Sequence, residues 1–239
     1  MSRRADPQRD AVLGSIRQSL GRGRVSPALK RELDERVRKP QTPLLPARAK
    51  GDKAELIERF IEMASAASCS VRWLDSFDDL PSAVADYLRE HNLPTAITVA
   101  PEAQLDGVDW SKEPLLERHR GAPRNDDVAG LTAAYAAVAE TGTLVTASGP
   151  SHPATLNFMP DHHLVALRAS QVVGGYEEVW TQLRKAGRKG TAVDLPRTVN
   201  MITGPSRTGD IELTIHLGAH GPRSLHVLLI DDQEDAASH

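Results

Sequence analysis

The chain has 239 residues, of which 40% are hydrophobic, 26% charged and 4% aromatic, with a formal charge of −3. That is enough for one α/β domain with appendages and too apolar for a disordered chain. The near-neutral charge and scarce aromatics argue against a nucleic-acid partner; no apolar run approaches the roughly 20 residues of a membrane span or forms a signal core, so a cytoplasmic location is expected.

"ADPQRDAVLGSIRQSLG" reads as a helix, with Asp6 as N-cap, Pro7 at the first helical position and Val12, Ile16 and Leu20 on one stripe; Gly21 ends it. Residues 21–51 are rich in Arg, Lys and Pro, and only "ALKRELDERV" is helical in pattern. Acids are interleaved among the bases, which favours a solvated linker over a nucleic-acid contact. Residues 1–51 are therefore expected to be an N-terminal helix and an exposed arm, outside the core or against another subunit.

The globular domain is expected over residues 52–231. Asp52 and Glu55 form a capping pair, and Leu56, Ile57, Phe60, Ile61 and Ala64 mark one helix face. "SVRWL" reads as a strand, Ser76 with Asp79 caps a helix carrying Leu80, Val84 and Leu88, and "TAITVA" (95–100) is a second strand. Helix and strand alternating at this spacing predict a mainly parallel sheet with helices on both faces, an α/β fold. Residues 101–126 offer only a weak helix around Leu115 and Leu116. Beyond them "TLVTAS", "HHLVAL", "TVNMIT" and "SLHVLLI" are β-type, with "IELTIHLG" a further candidate, and "GGYEEVWTQLRKAG" is an amphipathic helix stopped by Gly187. Residues 232–239 form an acidic tail.

Cys69 is the single cysteine, so the chain holds neither an internal disulfide nor a cysteine-ligated iron–sulfur cluster of its own. No cofactor is expected here, and redox metal chemistry would come from another chain. Cys69 itself reads as a buried, inert thiol.

Two junctions carry residue types suited to binding. In "AVAETGTLVTAS" (137–148), Glu140, Thr141, Gly142 and Thr143 sit where a small-residue segment turns into a β run. Gly142 permits positive φ, and the threonines add hydroxyls beside free backbone N–H groups. In "MITGPSRTGDIE" (201–212), a strand ends at Gly204-Pro205. Ser206 and Thr208 then offer hydroxyls, Arg207 a planar fork of donors and Asp210 an acceptor to orient it. We expect residues 206–212 to open a short helical turn whose free amides favour phosphate or carboxylate. The two junctions are expected to face each other across one cleft at the carboxyl edge of the sheet, with Glu140 pairing with Arg207 when the cleft is empty. His220, in a loop beside Arg223, is a further candidate contact. Alternation sends one of His162 and His163 outward to solvent and one inward to packing; His216 and His220 lie in β and loop segments, so no metal site is expected. "GPSHP" (149–153) reads as a turn without chemistry.

Taken in series, "AETGTLV" (139–145), "HHLVAL" (162–167), "GPSRTGDIE" (204–212) and "LGAHGPRSLHVLLI" (217–230) resemble the lactate utilization protein C family, also called the LUD-domain family. The resemblance implies a three-layer α/β/α fold related to ribose-phosphate isomerase, glucosamine-phosphate deaminase, CoA transferases and formyltetrahydrofolate cyclo-ligase. It also implies a part in oxidising L-lactate to pyruvate beside partner proteins that carry iron–sulfur clusters, in keeping with the single cysteine. Two alternatives stay open. One is a stand-alone acyl/CoA-transferase-like or phospho-sugar-type enzyme, with Glu140 as acid/base or nucleophile, because CoA transferases of the related fold use a glutamate. The other is a regulatory protein that binds an organic acid.

Overall fold

The computed structural model describes residues 6–21, 23, 25–38, 44–189, 192–208 and 216–232. The chain divides into two units, Met1–Leu44 and Leu45–His239. The first holds helices α1 (Pro7–Ser19) and α2 (Pro27–Arg38). Asp6 caps α1 by accepting from the N–H groups of Gln8 and Arg9, and Pro7 enters the helix where a missing N–H costs nothing. Their apolar stripes are uncovered: Val12, Ile16 and Leu20 on α1, and Leu29, Leu33 and Val37 on α2, are all exposed.

The second unit is built on a six-stranded parallel sheet. Its strands are β1 (Ser70–Leu74), β2 (Ala96–Val99), β3 (Glu117–Arg120), β4 (Ala129–Ala133), β7 (His162–Arg168) and β14 (Ser224–Ile230), in the spatial order β1-β14-β7-β4-β2-β3. Helix α3 (Lys53–Ala66) starts from a capping box in which Asp52 and Glu55 satisfy each other's backbone N–H. It packs Ile57, Phe60 and Ala64 on one face of the sheet, against Val165, Leu167, Val227 and Leu229. Helix α4 (Leu80–Glu90) covers the other face with Leu80, Val84 and Leu88, against Leu164, Ala166, Leu228 and Ile230. Period-2 alternation along β7 and β14 thus feeds two cores, as strands buried on both faces require. The architecture is the expected three-layer α/β/α.

A second sheet was not legible as such. At Ala134 the N–H still bonds Ala166 on β7, but at Tyr135 it bonds Val145, so the chain leaves one sheet and enters another within one residue. This smaller sheet runs β11 (Val199–Ile202), β6 (Thr143–Ala147), β5 (Ala136–Val138), β8 (Val172–Val173). Its inner residues Ala137 and Leu144 join the α3 core, and its outer residues Ala136, Val138 and Val145 meet Val179 and Leu183 of α6 (Tyr176–Ala186).

Residues 101–126 differ from expectation. No helix forms around Leu115 and Leu116: the described segment holds a four-residue α5 (Ala103–Asp106), a 3-10 turn at Trp110–Lys112, and β3. Pro114 and only two apolar residues give no helical face, whereas Glu117 donates its N–H to Thr95 and starts a ladder with β2. Two short ladders complete the unit: β9 (Arg188–Lys189) with β10 (Ala192–Val193), and β12 (Arg207–Thr208) with β13 (His216–Leu217). Among the described residues no helix is long and apolar enough to cross a membrane.

Candidate functional site

Gly142 adopts φ 64°, and a side chain there would overlap the main chain of Met63 and Ala64 near the end of α3. The turn from β5 to β6 is therefore seated on that helix end, and it aims its flanking hydroxyls at one point. Thr141 and Thr143 lie 2.7 Å apart through Oγ1, and each is 2.9 Å from the hydroxyl of Tyr176. Thr143 Oγ1 is also 2.7 Å from Thr203 Oγ1. Because β6 and β11 are antiparallel, with Leu144 opposite Ile202, the start of one and the end of the other fall together. The two predicted junctions meet through this pair of threonines.

Their surroundings differ from expectation in three ways. The segment after Gly204-Pro205 is not helical: Arg207 and Thr208 form β12, since an antiparallel partner in β13 satisfies the backbone that a helical turn would leave open. Asp210 and the rest of the expected turn lie outside the described residues. The place is also not the carboxyl edge of the parallel sheet. Gly204 (φ 79°) sits against the Ala67 carbonyl, just ahead of β1, and Ser206 donates its N–H to Pro222 O at 2.8 Å, just ahead of β14. Both mark the amino ends of the strands.

Third, Arg207 and Glu140 do not pair. Arg207 Nη2 donates to Ala67 O at 2.7 Å, placing its charge at the C-terminal end of α3, where the helix dipole favours a cation. Glu140, nearly buried, is held by Arg48, whose Nε and Nη2 both lie 2.9 Å from Oε1. Composition had put Arg48 in the arm. Its 3-10 turn (Ala47–Ala49) instead belongs to the second unit, with the Ala49 carbonyl pressed on Gly174, where a side chain could not fit. Arg48, Tyr176 and Thr203 are site residues that sequence reasoning missed. The spacing from Arg48 to Glu140 carries no local pattern, although a Tyr opening a helix after Gly-Gly was visible.

Cys69 is buried beside this place. Burial raises its thiol above the ordinary range, opposed by a hydrogen bond to the Gly204 backbone and the charge of Arg207. The expected inert thiol fits that environment. His220 is exposed, next to Gly221, which packs on Ser206.

Of the paired histidines, His163 is fully buried with Nε2 2.8 Å from Thr132 Oγ1, as alternation requires. His162 does not stand in solvent: it is half-buried with Nδ1 3.0 Å from the Tyr87 hydroxyl, itself 2.8 Å from Ser224 Oγ. The "GPSHP" segment is the expected turn, but one of its side chains is engaged. His152 is buried, its Nδ1 2.9 Å from Glu102 Oε1 and its Nε2 3.3 Å from Asn157 Nδ2. No sequence spacing signalled a contact from residue 102 to residue 152.

Of the cavities among the described residues that lie away from the hydroxyl cluster, two border strand ends. One of about 630 Å³ is bounded by Tyr135, Leu183, Leu195 and Arg197. The other, of about 420 Å³, lies at the carboxyl ends of β1, β7 and β14, bounded by Phe77, Gln104, Arg168 and Asp232.

Residues 57–230 match the LUD domain. The chain is 39% identical over 102 residues to an uncharacterized protein of Neisseria meningitidis, covering 43% of this chain but only 42% of that protein's length. It is 26% identical to lactate utilization protein C of Halalkalibacterium halodurans over 95% of this chain and 99% of that protein. The crystal structure of a DUF162 family protein from Deinococcus radiodurans superposes with a TM-score of 0.54 at 21% identity, covering 76% of this chain and 99% of that one, a likeness of fold. The family match spans most of the chain and includes both junctions: the protein belongs to the LUD domain family.

Proposed function

We propose that this protein is a component of an L-lactate utilization system and assists the oxidation of L-lactate to pyruvate beside iron–sulfur partner proteins. The observation that carries the reading is the similarity, over nearly the full length of both chains, to lactate utilization protein C of Halalkalibacterium halodurans. The division of labour rests on chemistry. A single buried thiol whose proton burial retains cannot ligate a cluster within one protomer, so the iron–sulfur clusters are assigned to the partners. Deleting the gene in its host should abolish growth on L-lactate as sole carbon source, with recovery on complementation. Undiminished growth would refute the role.

Within that role we assign ligand contact to the hydroxyl cluster and the adjoining Glu140–Arg48 pair. Arg48 is the cation in place of Arg207, because its side chain is 67% exposed while bonded to Glu140, and a small carboxylate can compete for the guanidinium. Glu140 Oε1 is engaged by the two Arg48 donors, and no observation bears on Glu140 as a transferase nucleophile. Arg48→Ala should weaken binding of a small carboxylate by about 1.5–3 kcal/mol in calorimetry, the scale of a charge-assisted hydrogen bond. Equal affinity in the variant would remove Arg48 from the site.

A further inference from the structure

The Glu102–His152 pair lies apart from the hydroxyl cluster, yet its network reaches the same two strands. Glu102 follows β2; its Oε2 accepts the Ala133 N–H at 2.6 Å and its Oε1 lies 2.9 Å from His152 Nδ1. A carboxylate only accepts, so Nδ1 carries a proton. On the other side of the ring, Nε2 is 3.3 Å from Asn157 Nδ2, which also donates to Thr146 Oγ1 at 3.0 Å. An amide nitrogen only donates, so in this arrangement Nε2 bears a lone pair and the ring is neutral. Asn157 Oδ1 is buried without a partner among the described residues.

A proton arriving at Nε2 would set two N–H donors against each other. A half-turn of the Asn157 carboxamide resolves the clash: Oδ1 and Nδ2 exchange places, and Oδ1 accepts from Nε2–H and from the Thr146 hydroxyl. We propose that Glu102, His152 and Asn157 form a buried proton-binding site with two arrangements, and that the His152 proton selects between them through the Asn157 carboxamide. One proton from solvent forms the Nε2–H bond, and the His152–Asn157 and Asn157–Thr146 hydrogen bonds both reverse their direction.

The change is passed to the small sheet. Thr146 on β6 and Asn200 on β11 are register partners, and after the turn the Thr146 hydroxyl must point its proton at Asn157 Oδ1 while still accepting from the Asn200 amide, at 3.3 Å. The same two strands bring Thr143 and Thr203 together at their other end. Among the described residues, Glu102 bonds the ring and His163 interacts with it, while β6 and β11 contribute Thr146 and Asn200, which are uncharged. His163, deep in the core, is held neutral down to about pH 3, with burial the main cause and His152 adding to it, so it does not compete for the proton.

Side-chain ¹⁵N NMR of the full chain between pH 8 and pH 5 tests the site. At pH 8 His152 should show the proton on Nδ1, and the Asn157 side-chain amide signals should shift with the same midpoint as the ring. In Asn157→Asp the signature of a proton on Nε2 should persist where the wild type has lost it, because a carboxylate accepts from Nε2–H in place of a neutral amide. The wild-type measurement decides the matter even where the variant fails to fold. A proton on Nε2 at pH 8, a ring that does not titrate while the protein is folded, or a titration that leaves the Asn157 amide unmoved would each overturn the proposal. None of these outcomes bears on growth with lactate.

Discussion

Position 142 accepts glycine for two independent reasons: its φ of 64°, and the Met63 and Ala64 main chain where a side chain would go. Gly142→Ala should therefore cost about 2–4 kcal/mol in urea unfolding, strain and overlap together. Gly149→Ala is the control, because nothing lies within 4 Å of its added carbon; equal effects would mean the turn is not seated on α3. The histidines make a second prediction at this scale. Burial, with the neighbouring His152, holds His163 at about 3; burial, with His91 and Arg72, holds His226 at about 4. The unfolded chain takes up these protons near pH 6.5 and the folded one does not. Stability is therefore complete above pH 6.5 and falls as the pH drops towards 4, by up to roughly 1.4 kcal/mol per pH unit for each ring. Urea midpoints at pH 7.5, 6 and 5 check this; a flat profile would show that the rings protonate without unfolding. The Thr-Gly-Thr turn and the inward His163 were legible because both follow from local rules. Arg48 and His152 were not, because their partners lie 92 and 50 residues away and no periodicity links them.

Elements were legible where caps and periodicity agreed. Asp52–Glu55 and Ser76–Asp79 both form capping boxes, and Gly187 ends α6. Asp52→Ala should lower stability by about 1 kcal/mol in thermal or urea unfolding, since the Glu55 N–H loses its acceptor; an unchanged midpoint would make the cap dispensable. Helix α1 answers differently. Gly14 lies mid-helix, and a carbon added there meets none of the described residues beyond its own helix within 4 Å, so Gly14→Ala should raise helicity by circular dichroism and gain up to about 1 kcal/mol locally. A loss of helical signal would show that Gly14 serves a contact. The small sheet escaped sequence reading for a physical reason. "GLTAAYAAVAE" is so rich in Ala that neither period stands out, and β5 is recognisable only from partners in β6 and β8.

For the molecule as a whole, alternation of helix and strand after Asp52 carried the parallel sheet and its two flanking layers. It could not carry the strand order, which depends on pairings such as β1 with β14 between the two ends of the globular unit. Phe60, fully buried between α3 and the sheet, joins these distant parts, and Phe60→Ala should cost about 3–5 kcal/mol in a single cooperative transition. Helix α3 itself is fastened at both ends. The Lys53 ammonium donates to the Ser170 and Val172 carbonyls at 2.8 and 2.7 Å, and the far end is gripped by Gly142, Gly204 and Arg207. A helix pinned twice has no neighbouring register to slide into and no free end from which to fray. Its central amides, Phe60 to Ala64, should then exchange with deuterium only when the entire unit opens, at rates set by global stability; faster exchange there than in β7 would mean that the pins slip in the native state.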